Sequence, residues 1–291
     1  MSELMIYKHN EMIENFIFNA TESELQIMNY AVAITNPMWE NKNIIYTLSI
    51  PELVKTYKTK SNNIYKCYRD ALDRLMKRTY KYYNSRGVKI TENLITRIEE
   101  DPNDTSIIVF KFNEYVSSRI SGLQGLFTKY NIKYISRFKS KYSFMLYEFF
   151  KMKIEQSKYN EAKSYKYKIT VEDFKENLLL EKKYKVFALL EKNVLKIAQS
   201  NINSYSDINL GYKIIRKART PTHIVFTAKY KETTQEKKVV QKKITAPPKN
   251  IEVVVPENNI DNSKSISESQ RSKGKDHCAK LKDILKNKTT A

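Results

Sequence analysis

Apolar side chains recur in two alternating rhythms along the first 230 residues. From Thr21 they fall three or four apart. Leu25, Met28 and Val32 share one face, and Thr21 with Glu24 three residues later makes a capping-box start. Ile44, Tyr46 and Leu48 then alternate, which predicts a strand, and Ser49-Ile50-Pro51-Glu52-Leu53 predicts a capped helix with proline in its first turn. A further helix is predicted over 62–77, turning Ile64, Tyr68, Leu72, Leu75 and Met76 inward. Two strands follow, over 80–90 and 107–112, separated by the turn formers Asp101-Pro102-Asn103-Asp104.

The same order returns after a connecting segment, Tyr115 to Ser136. A helix is predicted from Ser140 to Lys153 with Tyr142, Met145, Leu146, Phe149 and Phe150 on its buried side. Ile169 to Phe174 reads as a strand running into a capped helix, and Tyr184 to Ser200 as a helix with Phe187, Leu190, Val194 and Ile197 in line. Strands from Ile208 to Ile215 and from His223 to Lys229 close the series. Helix, strand, helix, helix, strand, strand, occurring twice, predicts an α+β chain of two tandem winged-helix (winged helix-turn-helix) domains. The third helix of each is then the candidate for a major groove, and each hairpin tip a candidate wing.

Composition sets the limits of these domains. All the aromatic residues stand at or before Tyr230, and the chain beyond turns to Lys, Ser, Asn, Gln and Thr around Pro247-Pro248. Such a stretch buries too little apolar surface to offset its ordering entropy. The expected division is a first winged helix over 1–125, a second over 126–230 and a flexible basic tail over 231–291, in which only Leu281, Ile284 and Leu285 keep helical spacing. Lys and Arg number 52 against 32 Asp and Glu, a formal charge of +20. The tail holds 14 of those basic and 8 of those acidic residues, so 38 and 24 remain in the folded part. An excess of that size predicts a polyanionic partner, because Lys and Arg displace the counterions condensed on phosphate. No run of 18 apolar residues and no signal-peptide pattern is present, so the expectation is a cytoplasmic protein with no membrane partner.

Cys67, in a predicted helix, and Cys278, in the tail, do not suggest a disulfide. The three histidines, His9, His223 and His277, form no ligand pair, so no metal is expected. A tyrosine-based nicking enzyme commonly relies on such a pair, and a phosphate loop needs a Gly-x-x-x-x-Gly-Lys run that is absent. The expectation is no catalytic residue, no cofactor and no enzyme.

Candidate DNA contacts fall in three groups. Arg216, Lys217 and Arg219 sit at the second hairpin tip, suited to phosphate or the minor groove rather than an ordinary solvated turn. Lys182, Lys183, Lys185, Lys192 and Lys196 flank the apolar stripe of the second recognition helix, and Asn193 is of the type that pairs with an adenine edge. Any exposed helix also carries such lysines. In the first unit Asn62, Asn63, Lys66, Arg69 and Arg74 take the corresponding helix, although Asn62 also suits the cap, and Arg69-Asp70 and Asp73-Arg74 suit local pairing.

Several stretches carry a family resemblance. They are Tyr7-Lys8-His9-Asn10-Glu11-Met12-Ile13 followed by Thr21 to Ile27, Leu126 to Tyr130, Lys139 to Glu148, and Asn201-Ile202-Asn203 through Arg216 to Phe226. In that order and spacing the chain resembles the replication initiator (Rep) proteins of theta-replicating, iteron-containing plasmids. It departs from them at Leu190-Glu191-Lys192-Asn193, where a basic cluster is usual, at Ala218, where a wing glycine is common, and at Met145, in place of an arginine. The resemblance implies a bacterial initiator that binds double-stranded origin iterons as a monomer. It further implies dimerisation through the first unit, repression of its own operator as a homodimer, and partnership with a host initiator and replicative helicase. The alternative from another class is a dimeric winged-helix repressor with no role in replication.

Overall fold

The computed structural model describes residues 3–15, 19–40, 43–60, 62–83, 86–158 and 164–231. The expected tail beyond 231 lies outside them, with its helical spacing at Leu281 to Leu285.

The first six-element series is present. Helix α2 (Glu22–Ile34), preceded by strand β1 (Met5–His9) and helix α1 (Asn10–Asn15), starts in the predicted capping box, with Glu24 N donating to Thr21 Oγ1 and Thr21 N to Glu24 Oε2. Strand β2 (Ile45–Ser49) leads into α3 (Ile50–Tyr57), which has proline in its first turn but no side-chain cap from Ser49. Helix α4 (Ile64–Met76) buries Tyr68, Ala71, Leu72 and Leu75, a stripe at helical spacing; Ile64 and Met76 are only half-buried.

The strand predicted over 80–90 is not one strand. Residues 79–93 form a separate hairpin of β3 (Thr79–Tyr83) and β4 (Lys89–Asn93), with Gly87 at φ 75°, a left-handed conformation that a side chain would strain. The strand that pairs with β6 (Ile107–Phe112) is β5 (Ile95–Glu99), after buried Leu94 and Ile95 interrupt the alternation. The sheet order is β2-β6-β5, and Tyr46 stacks on Phe110, its partner across the ladder, at 5.4 Å.

The connecting segment is also structured. It holds α5 (Glu114–Ser117), strand β7 (Phe127–Asn131) and a 3₁₀ turn, Ile132–Tyr134. Strand β7 pairs antiparallel with β1, from Met5 opposite Asn131 to His9 opposite Phe127.

The second series runs α6 (Lys141–Lys158), β8 (Ser164–Thr170), α7 (Val171–Asn177), a long helix, then β9 (Ile208–Lys217) and β10 (Thr220–Tyr230). Thr170 caps α7 through the amide of Asp173. On α6 Tyr142, Leu146 and Phe150 are buried as predicted, joined by Phe144 and Tyr147, whereas Met145 and Phe149 are half-buried. The sheet order β8-β10-β9 repeats β2-β6-β5, so first strand, last strand, middle strand is the arrangement in both units. Each unit is a winged helix.

The long helix starts at Phe187, not Tyr184, because Val186 is still extended. It comprises α8 (Phe187–Leu190), a π turn (Glu191–Leu195) and α9 (Lys196–Tyr205). The wider π turn lines up positions four apart, so Leu190, Val194, Ala198 and Ile202 form the core stripe. Ile197, predicted to be buried, is swung out and 39% exposed.

A buried charge joins β1 to both units. Lys8, 5% exposed, donates to Asn29 Oδ1 on α2 at 2.6 Å and to Glu148 Oε1 on α6 at 2.6 Å. Tyr130 on β7 donates to the same carboxylate oxygen. Replacing Lys8 by methionine keeps its length and strands Glu148. Lys8→Met is expected to lower stability by about 3 kcal/mol in urea denaturation. Lys8→Met/Glu148→Gln should recover part of the loss, with a coupling of roughly 1–3 kcal/mol; additive single effects would contradict a shared ion pair.

Candidate nucleic-acid interface

The second reading helix is tied to its wing from inside. Asn203 on α9 accepts from Leu210 N at 2.7 Å and donates to Leu210 O at 3.0 Å, while Gln199 donates to that same carbonyl at 3.1 Å. Tyr212 on β9 donates to Glu191 at 3.1 Å, and burial, with the Glu191 carboxylate, pushes the Tyr212 hydroxyl up to about 12. At the other end of the strand the Arg216 guanidinium lies over the Phe187 ring, 5.9 Å from its centroid. Helix start and wing tip are therefore neighbours.

On this scaffold Arg216, Lys217 and Arg219 are exposed around a two-residue turn. Ala218 takes φ 53°, the conformation glycine favours, so the departure from the usual wing glycine leaves the hairpin intact with modest backbone strain. Lys192 and Lys196 are exposed on the helix, and Asn193 is half-buried. Lys182, Lys183 and Lys185 are exposed too, but they belong to the turn before Phe187 and not to the helix. Burial and the nearby charges of Lys183 and Arg78 hold the Lys141 ammonium below its ordinary value.

In the first unit Asn62, Asn63 and Lys66 are exposed at the start of α4, and Arg69 is half-buried. The cap position is taken by Asn63, not Asn62, without a side-chain capping hydrogen bond. Arg74 does not pair with Asp73. Its Nε donates to the fully buried Glu24 at 2.8 Å, where Arg78 joins it, so Arg74 holds α4 to α2 instead of facing a groove. Arg69 borders a hollow with Glu99, Glu100, Asp101 and Asp104 of the β5–β6 turn. The wing of this unit is thus acidic where the other is basic: Arg97 pairs with Glu99 at 2.9 Å, and the carboxylates of Glu100, Asp101 and Asp104 repel phosphate. The Asp101-Pro102-Asn103-Asp104 run predicts the turn, and the fold places it between β5 and β6.

Among the described residues no helix is long and apolar enough to cross a membrane, and no group of three or more His, Cys, Asp or Glu is placed to hold a metal ion.

Two family models match the chain in succession, the first of them extending into α6. The model described as "Initiator Replication protein, WH1" matches residues 5–151, and "Initiator Rep protein, WH2" matches residues 170–228. The chain belongs to the initiator replication protein family. A replication initiation protein of Escherichia coli is 28% identical over 227 residues, which is 76% of this chain and 68% of that protein. The crystal structure of the Pi initiator protein in complex with iteron DNA is similar with a TM-score of 0.65 at 19% identity, covering 80% of this chain and 100% of that one. That likeness is one of fold, and it spans both winged helices of this initiator.

The clasp on Leu210 fixes where the initiator's basic wing stands. Asn203→Leu removes both hydrogen bonds and leaves the amide of Leu210 without its partner, a loss of about 1–3 kcal/mol. Amide hydrogen exchange should rise in β9 before it rises in β2 or β6; unchanged protection in β9 would argue that the clasp is dispensable.

Proposed function

We propose that this initiator binds duplex DNA at the repeated sites of a plasmid origin, one monomer to a repeat, with its two recognition helices in successive major grooves on one DNA face. The observation that carries this reading is the basic wing of Arg216, Lys217 and Arg219 beside the exposed lysines of the second reading helix. Lys182, Lys183 and Lys185 extend the same positive surface ahead of Phe187. Asn193 is the candidate for a base edge, and Lys192 and Lys196 for phosphates. The first unit contributes Asn62, Asn63, Lys66 and Arg69 and, with its acidic wing, takes the smaller part at DNA. It serves as the homodimer surface through which paired copies repress the initiator's own operator.

The functional division falls near residues 125 and 230, with the basic tail beyond. The role is one of binding and assembly in the cytoplasm, without catalysis or a cofactor. Copies bound along the repeats strain a neighbouring AT-rich segment and present a surface to the host initiator and replicative helicase.

Selection from a random duplex pool should return one site of about 15–25 bp with two blocks one helical turn apart. Replacing Arg216, Lys217 and Arg219 by alanine should flatten the salt dependence of binding across sequences. The slope should fall by roughly 0.9 for each phosphate no longer neutralised, about 2.7 for all three. A plasmid carrying the gene and its flanking repeats is expected to replicate in a host that supplies no other origin. Tight repeat binding without replication would leave a repressor instead.

A further inference from the structure

A second cationic surface lies apart from the wing. The turn after α3 (Lys58, Thr59, Lys60) and the segment before α6 (Arg137, Phe138, Lys139) face each other across an open groove, and Tyr205, the last residue of α9, lines it as well. The hollow on one side of these residues reaches Lys133 and Ser204, and the hollow on the other reaches Glu22. Lys58, Arg137 and Tyr205 border both, so the two hollows adjoin along one cationic surface, termed the groove.

Its charge is unbalanced. Lys58, Lys60, Lys133, Arg137 and Lys139 are all exposed, and the only carboxylates among the described lining residues are Glu3 and Glu22. Glu3 is engaged by Lys133 at 3.2 Å, and the Glu22 carboxyl is pushed up by burial, which Lys139 partly offsets. Lys58, Lys60, Arg137 and Lys139 make no ion pair among the described residues. Arg137 instead lies over the Tyr205 ring, 5.7 Å from its centroid, with that ring 37% exposed.

Lys58 adds an independent observation. It closes α3 in the left-handed region, φ 50°, the position where helices usually place glycine. A lysine there bears the same modest backbone strain as Ala218, and its side chain lines the groove.

The groove's place in the chain suggests its occupant. One wall immediately precedes Asn62 and Asn63 at the start of the first reading helix, and the other includes the end of the second. A duplex with reading helices in two successive major grooves must carry its backbone across the interval between them. We propose that this groove clamps the phosphates of the duplex between the two base-reading blocks, through Lys58, Lys60, Arg137 and Lys139. The proposal rests on the two-groove reading above. It gives the initiator a third set of contacts, sequence-independent, that fixes the spacing of the blocks.

The test uses the full chain and the duplex recovered by selection. Lys58→Gly removes one cation and relieves the left-handed backbone, so it should weaken binding without lowering the melting temperature. Adding Lys60→Ala, Arg137→Ala and Lys139→Ala should reduce the slope of log K against log salt by roughly 3.6, at about 0.9 per phosphate. Hydroxyl-radical footprinting should lose protection of the spacer while both outer blocks stay protected. Arg137→Lys should retain most of the slope. An unchanged slope and an unchanged spacer footprint would overturn the clamp, as would loss of single-strand binding alone. If the unaltered chain protects no pair of blocks, the two-groove reading fails before the clamp is tested.

Discussion

A lysine ammonium buried away from water has to be matched by acceptors, and Lys8 finds two on elements far apart in the chain, one of them a carboxylate that Tyr130 also holds. Asn29 belongs to the first winged helix, Glu148 to the first helix of the second, and Tyr130 to the strand between them. Removing any one partner leaves a charge or a hydroxyl in a low-dielectric site. The cost of an unmatched charge therefore ties the N-terminal strand and both reading units to one arrangement. The spacing between recognition helices, on which any two-groove contact depends, inherits its definition from that site.

The two units share a topology and differ in chemistry. Both order their sheets first, last, middle, yet one wing ends in Arg216, Lys217 and Arg219 and the other in Glu99, Glu100, Asp101 and Asp104. Duplication of a fold does not duplicate a surface. Arg74 shows the same divergence at one residue: its helix position would suit a groove, but the buried carboxylate of Glu24 takes it inward.

Local periodicity makes much of this fold legible. The capping box at Thr21 and Glu24, the strand into a capped helix at Thr170, and the stripes of α4 and α6 all express short-range rules. The misses have a common cause. Strand β7 hides in a connecting segment because its partner β1 lies more than a hundred residues away, and pairing at that distance leaves no local trace. The π turn carries no sequence mark either, so regular spacing puts Ile197 on the wrong face. For the site, basic side chains at the second wing are readable from type and position alone. The groove cations at Lys58, Lys60, Arg137 and Lys139 are not, since two turns nearly eighty residues apart acquire a shared role only when the fold brings them together.

The pairing of β1 with β7 also bears on how the chain is made. Met5 must wait for Asn131, and Lys8 for Glu148, before either is covered. Closing so long a loop is entropically slow compared with forming the hairpins and helices inside it. On the ribosome the first winged helix consequently emerges with its N-terminal strand unpaired and its lysine still hydrated. It becomes complete only once the opening helix of the second has been synthesised. The two halves mature as one folding event, although each carries its own core.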